Sequence, residues 1–140
     1  MSIMILGAEE QFRVGEPAPG AESFLLSSEA ANHEFQVMFE DDGTTGYFYA
    51  LRNAAESEIL DALHVYNVAD VLDRTTPVTA QIFWDAAQST AVLLIEGHSH
   101  ALYDFPRRAG FCRNAFPPAQ NGQLGSRELT DELVEKYFAA

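Results

Sequence analysis

With 140 residues, 47% of them apolar and 21% charged, the chain has ordinary globular composition and room for one domain, which excludes a disordered chain. Eight basic against 21 acidic residues give a net charge of −13, a field that repels phosphate backbones and favours a basic protein or a cation, so nucleic acid is not an expected partner. Cys112 is the single cysteine, the run Met1–Leu6 lacks a signal peptide's basic flank, and no segment reaches the roughly 20 apolar residues of a membrane span, so a soluble cytoplasmic protein without a membrane partner is expected.

In chain order, Gln11–Val14 reads as a short edge strand. It precedes the segment Gly15–Gly20 (GEPAPG), whose prolines and glycines break helix and strand alike. Ser23–Ser27 reads as a second strand, although its length leaves helix open. Phe35–Phe39, the acidic turn Glu40–Gly46 and the aromatic run Tyr47–Leu51 then have the pattern of a hairpin. Phe35, Val37 and Phe39 share one face of its first arm. In its second arm Tyr47 and Tyr49 face one way, and Phe48 and Ala50 the other. Gly43 and Gly46 supply the permissive backbone of the connection. Three contiguous acids, Glu40, Asp41 and Asp42, lack the alternating ligands of a calcium loop and read as a solvated tip.

Ile59–Val68 fits both a strand and a helix period, and its β-branched and aromatic end favours strand. Val78–Trp84 and Ala91–Glu96 form a second hairpin, and His98–Phe105 continues it as a further strand after Gly97. Pro106–Gly125 is turn-rich and irregular, with Phe105, Phe111 and Phe116 as its anchors to the core. Ser126 reads as the N-cap of a closing helix whose stripe of Leu129, Leu133 and Tyr137, with Val134 and Phe138, docks on the sheet. The expected fold is α+β over residues 1–140 as a single domain. It comprises a mostly antiparallel sheet of about six or seven strands, able to curl into a sandwich, and a C-terminal helix.

Two constellations could carry chemistry. On a continuous strand Glu96, His98 and His100 would project to one side, a carboxylate and two imidazoles suited to a divalent metal, with Asp104 as the nearest further ligand. Arg107, Arg108 and Arg113 concentrate three of the eight basic residues in one loop, where guanidinium groups could clamp a carboxylate or phosphate near Asp104, or pair with the chain's own acids. Cys112 lies among these arginines, but a nucleophilic thiol would need His64, His98 or His100 beside it, and a buried structural thiol is the default. His64, inside an apolar run, reads as a core histidine. No catalytic motif is present, so no catalytic residue and no cofactor is assigned.

The segments FEDDGTTGYFYAL, ILDALHVYNV, GFCRNAFPP and RELTDELVEKYF resemble a small bacterial family known as a domain of unknown function, the 2251 series. The likeness runs from about Phe35 to the C-terminus. It implies a bacterial, soluble, single-domain protein, and it carries no activity to transfer to particular residues. The leading functional expectation is a non-enzymatic binding protein, for instance an immunity or antitoxin-type partner of a basic protein. The alternative is a small metal-dependent or anion-binding enzyme using the Glu96/His98/His100 strand and the Arg107/Arg108/Arg113 loop.

Overall fold

A computed structural model of the chain describes residues 4–53, 56–118, 123 and 125–138. Among these the strands are β1 (Ile5–Phe12), β2 (Phe24–Glu29), β3 (Phe35–Asp41), β4 (Thr45–Arg52), β5 (Glu58–Asn67), β6 (Val78–Trp84), β7 (Thr90–Ile95), β8 (His98–Asp104) and β9 (Ala109–Cys112), and the helix is α1 (Asp131–Phe138). They form a five-stranded sheet in the order β1-β6-β7-β8-β9 and a four-stranded sheet in the order β2-β3-β4-β5. Every strand pair is antiparallel. The expected α+β fold with a mostly antiparallel sheet and a C-terminal helix is what forms, as two packed sheets.

Alternation makes the sandwich. In β3, Val37, Phe39 and Asp41 point inward and are buried, and in β4 Gly46, Phe48 and Ala50 do the same. From the other sheet Ala80, Ile82 and Trp84 of β6, Ala91 and Leu93 of β7 and Ala101 and Tyr103 of β8 complete one apolar cluster between the layers. Trp84 Nε1 donates to Ser28 Oγ at 2.9 Å, so the indole's only polar atom is satisfied across the layers. Gly7 is required there: a Cβ on it would fall 2.3 Å from that hydroxyl and 2.8 Å from the indole.

Four sequence expectations are corrected. The first strand spans Ile5–Phe12, because ILGAEEQF pairs with β6 through a bulge between Leu6 and Ala8. It lies at a sheet edge and is exposed over most of its length, which erases the alternation that a half-buried strand would print. Ala109–Cys112, inside the segment read as irregular, is a strand on β8. Helix α1 starts at Asp131 and Thr130 caps it, its Oγ1 accepting from Leu133 N at 3.1 Å, whereas Ser126 Oγ accepts from Glu128 N. Residues 127–129 stay extended because Cys112 N and Leu129 N donate to the carbonyls of Arg127 and Cys112, a parallel bridge that ties them to β9. Lastly, Phe105 is buried and Phe111 packs on the helix side, but the Phe116 ring is 51% exposed, and that residue ties its segment down through its carbonyl, which accepts from His64 N and the Cys112 thiol.

The helix closes one outer face only. Leu129 and Phe138, with Leu133, Val134 and Tyr137 around them, cover Val92 and Leu102 on the outside of the five-stranded sheet. No helix or strand among the described residues packs over the outside of the four-stranded sheet.

Candidate functional site

The Glu96/His98/His100 set does not assemble as alternation on a strand would have it. Glu96 and Gly97 are the two residues of the β7–β8 connection, both with positive φ (50° and 77°), so the chain reverses there. Glu96 is thus a turn residue. Its Oε2 accepts from Thr79 N at 2.9 Å and its own N–H donates to Thr79 O, tying it to the start of β6. His98 and His100 do share a face, with ring centroids 5.1 Å apart. Burial, then the neighbouring His98 and Arg113 charges, push His100 down to about 4, so that ring is neutral at pH 7. Among the described residues no group of three or more His, Cys, Asp or Glu side chains could hold a metal ion.

The three arginines are likewise not gathered into a clamp. Arg113 is held by Ser99 O, Ser99 Oγ, Leu129 O and Asp131 Oδ1 at 2.6–3.2 Å, so its fork joins β8 to the start of α1. Arg107 and Arg108 are exposed in the β8–β9 turn. Asp104 is buried, accepts from Arg107 N and Tyr137 Oη, and so closes that turn and fastens the helix. The thiol of Cys112 is fully buried, donates to Asn114 Oδ1 and Phe116 O, and is pushed up by burial. Asn114 Nδ2 donates to His64 Nδ1, and His64 Nε2 is left to donate to Asn67 Oδ1 at 3.0 Å. An amide therefore stands between thiol and imidazole, which leaves no base on the sulfur.

Asp41 overturns the reading of the acidic turn as wholly solvated. It is fully buried, and its carboxylate accepts from Gly15 N at 2.7 Å, Gly43 N at 2.9 Å and Tyr66 Oη at 2.6 Å. Position parity explains this: Asp41 falls on the inward side of β3 with Val37 and Phe39. Asp42 keeps the solvated role, and its carboxyl is lowered by the N–H groups of Thr45 and Thr44.

What the fold does bring together lies on the outer side of the four-stranded sheet. Register sets Leu25, Glu40, Tyr47 and His64 in one cross-strand row and Ser27, Met38, Tyr49 and Ala62 in the next. The Tyr47 and Tyr49 rings are 6.0 Å apart and nearly parallel, at 21°. His64 meets Tyr47 edge-on at 5.4 Å, and Phe116 meets His64 edge-on at 6.0 Å, so a row of four rings crosses from β4 over β5 to the segment after β9. Glu40 stands beside the tyrosines, with Ser23 Oγ donating to one carboxylate oxygen at 3.1 Å and Tyr49 Oη to the other at 3.4 Å. Burial, then the Glu40 charge, raise the Tyr49 phenol. Leu25 (49% exposed) and Ile59 (62%) extend the apolar surface at opposite edges. Sequence alternation had already put Tyr47 and Tyr49 on one side of the hairpin. That no helix among the described residues covers this side, and that Asn114 and Phe116 shelter His64 while leaving Tyr47 and Tyr49 partly exposed, could not be read from it.

Sequence reasoning also passed over Arg13 and Arg74, which the fold brings to one open cleft of about 480 Å³ with Gly15, Glu16, Gly43 and Thr75. Arg13 Nε donates to Thr75 O and lies 4.0 Å from Glu16, so that guanidinium is partly engaged within the cleft.

The model of a family described as an uncharacterized protein conserved in bacteria, DUF2251, matches residues 17–138. The chain belongs to this family. It is also 41% identical over 106 residues to an uncharacterized protein of Haemophilus influenzae, a match spanning 74% of this chain and 66% of that relative, just under two thirds of its length. No solved structure matches the chain. The family match begins at residue 17 and takes in the whole four-stranded sheet, the ring row included. No helix among the described residues is long and apolar enough to cross a membrane.

Proposed function

We propose that this family member is a non-enzymatic binding protein whose four-stranded sheet presents its outer face to a basic polypeptide partner. The observation that supports this reading is the asymmetry of the sandwich: α1 seals one outer face, while on the other Tyr47 and Tyr49 lie partly exposed beside Glu40, with no helix or strand among the described residues over them. Exposed apolar surface rimmed by polar groups is characteristic of interaction sites, and tyrosine is enriched in them. A net charge of −13 would speed encounter with a positively charged partner and repel acidic ones. An immunity or antitoxin-type protein, which holds a basic effector inactive, is the narrower form of the same reading. The enzymatic alternative draws no support from the geometry, since Glu96 is engaged in a turn, Arg113 is enclosed by four acceptors, and the buried thiol lacks a base.

The test is affinity capture from the native host with the full chain and two variants. A basic protein should be retained by the unaltered chain, retained by the far-side variant Glu132→Gln, and lost from Tyr47→Ala/Tyr49→Ala. Recovery of the same proteins by all three chains, or of no basic protein by any, would sink the proposal.

A further inference from the structure

We infer that Tyr47, Tyr49 and Glu40 form a recognition site for an arginine side chain, which deepens and rests on the reading of the outer sheet face as a docking surface for a basic polypeptide. The two rings project from alternate positions of β4 and lie nearly parallel at 6.0 Å. That is close to twice the rise per residue of a strand, so the backbone itself sets the spacing. A gap of this size does not admit a third plane between the rings, and a planar cation would lie on the outer side of one of them. Glu40 is directly opposite Tyr47 in the register and reaches Tyr49 through its hydroxyl, so its carboxylate borders both rings. Ser23 Oγ and Tyr49 Oη each donate to one oxygen of Glu40, fixing its plane while leaving further lone pairs to accept.

A ring face beside an oriented carboxylate matches guanidinium better than ammonium. Guanidinium is planar, weakly hydrated, stacks on aromatic faces and offers paired N–H donors to a carboxylate, whereas ammonium is a compact and strongly hydrated point charge. Leu25, outboard of Glu40 in the same row and 49% exposed, gives the aliphatic stem of the arginine an apolar surface to lie on. The occupant is thus an arginine-bearing segment of a basic protein. The observations for it are the charge of the chain, the orientation of Glu40 and the partly exposed ring pair.

The experiment titrates the full chain with deca-arginine and, separately, deca-lysine at physiological salt, following affinity by calorimetry and the Tyr47 and Tyr49 ring protons by NMR. Deca-arginine should bind about tenfold more tightly than deca-lysine and shift both sets of ring protons, as a stacked and charge-assisted contact requires. Glu40→Gln should reduce the arginine affinity about tenfold and narrow the preference. Equal affinity for the two peptides overturns the arginine site but leaves the basic-partner reading standing. An arginine preference without ring shifts, or unchanged in Glu40→Gln, places the guanidinium elsewhere and overturns the site as well. If neither peptide binds, the arginine site is wrong, and the capture experiment alone decides the broader reading.

Discussion

Arg127 Nη2 lies 2.9 Å from Asp61 Oδ1, with the two side chains only 4% and 11% exposed. The pair fastens the segment after β9 to β5 and so joins the two layers at one edge. Gln123 Oε1 accepts from Arg127 Nη1 and from Gly110 N. Asp61 Oδ2, Arg127 Nε and the Tyr103 hydroxyl, all buried, have no hydrogen-bond partner among the described residues. A desolvated pair of this kind tolerates joint replacement far better than loss of one member. Arg127→Met should therefore destabilise the chain by about 3–5 kcal/mol, and Asp61→Leu/Arg127→Met should recover most of that. Urea unfolding of the two variants checks it; equal losses in both would contradict the account.

Gly110 faces the same carboxylate. A Cβ there would stand 2.6 Å from Asp61 Oδ2 and 3.0 Å from Leu63, too close for either to remain in place. Gly110→Ala is expected to cost about 1–3 kcal/mol through overpacking. In an Asp61→Ala background the loss should shrink, because neighbours that share a contact are not additive. A double-mutant cycle by chemical denaturation measures the coupling.

Asp41 binds three donors from three separate segments, at Gly15, Gly43 and Tyr66. Its removal leaves buried N–H and O–H groups without an acceptor, so Asp41→Ala should lower stability by about 3 kcal/mol, and Tyr66→Phe, which deletes one donor, by about 1–2 kcal/mol. Thermal and urea unfolding should rank the two in that order. A smaller loss in Asp41→Ala than in Tyr66→Phe would refute the three-donor account.

His100 gives a pH signature of a defined sign. Its folded-state value is pushed down to about 4 from 6.5, so the unfolded chain takes up a proton that the folded chain refuses. Stability from this group is present above pH 6.5, falls as pH drops from 6.5 towards 4, and is then constant. The expected loss is about 2 kcal/mol, allowing for partial solvent screening. Asp42 and Asp131 are lowered carboxyls, whose contributions disappear only below about pH 4, so the windows separate. Unfolding followed from pH 7 to 4.5 should show a shallower decline in His100→Asn than in the unaltered chain.

The hairpin of β3 and β4 was legible in the sequence because its inward positions other than Asp41 are apolar or glycine and its connection needs glycine, both local requirements. Among the described residues nine strands stand where about six or seven were expected. The unread ones, β1 over most of its length and β9, gain their regularity from partners far along the chain, β6 and β8. The helix was legible as a stripe, yet its cap moved from Ser126 to Thr130 because residues 127–129 are claimed by backbone bonds to Cys112. The candidate ligand set at Glu96 rested on treating the residues around Gly97 as one strand, whereas two positive φ values turn the chain there.

The sequence by itself determined the mostly antiparallel α+β architecture, the acidic field and the grouping of Tyr47 with Tyr49 on one side of a strand. These follow from composition and from a side-chain period of two. The tertiary structure alone decided which side of that strand remains partly exposed, that Asp41 is buried while Asp42 is not, and that Arg127 meets Asp61. Each of these depends on which distant segment packs against which face, a relation that no local window of residues contains.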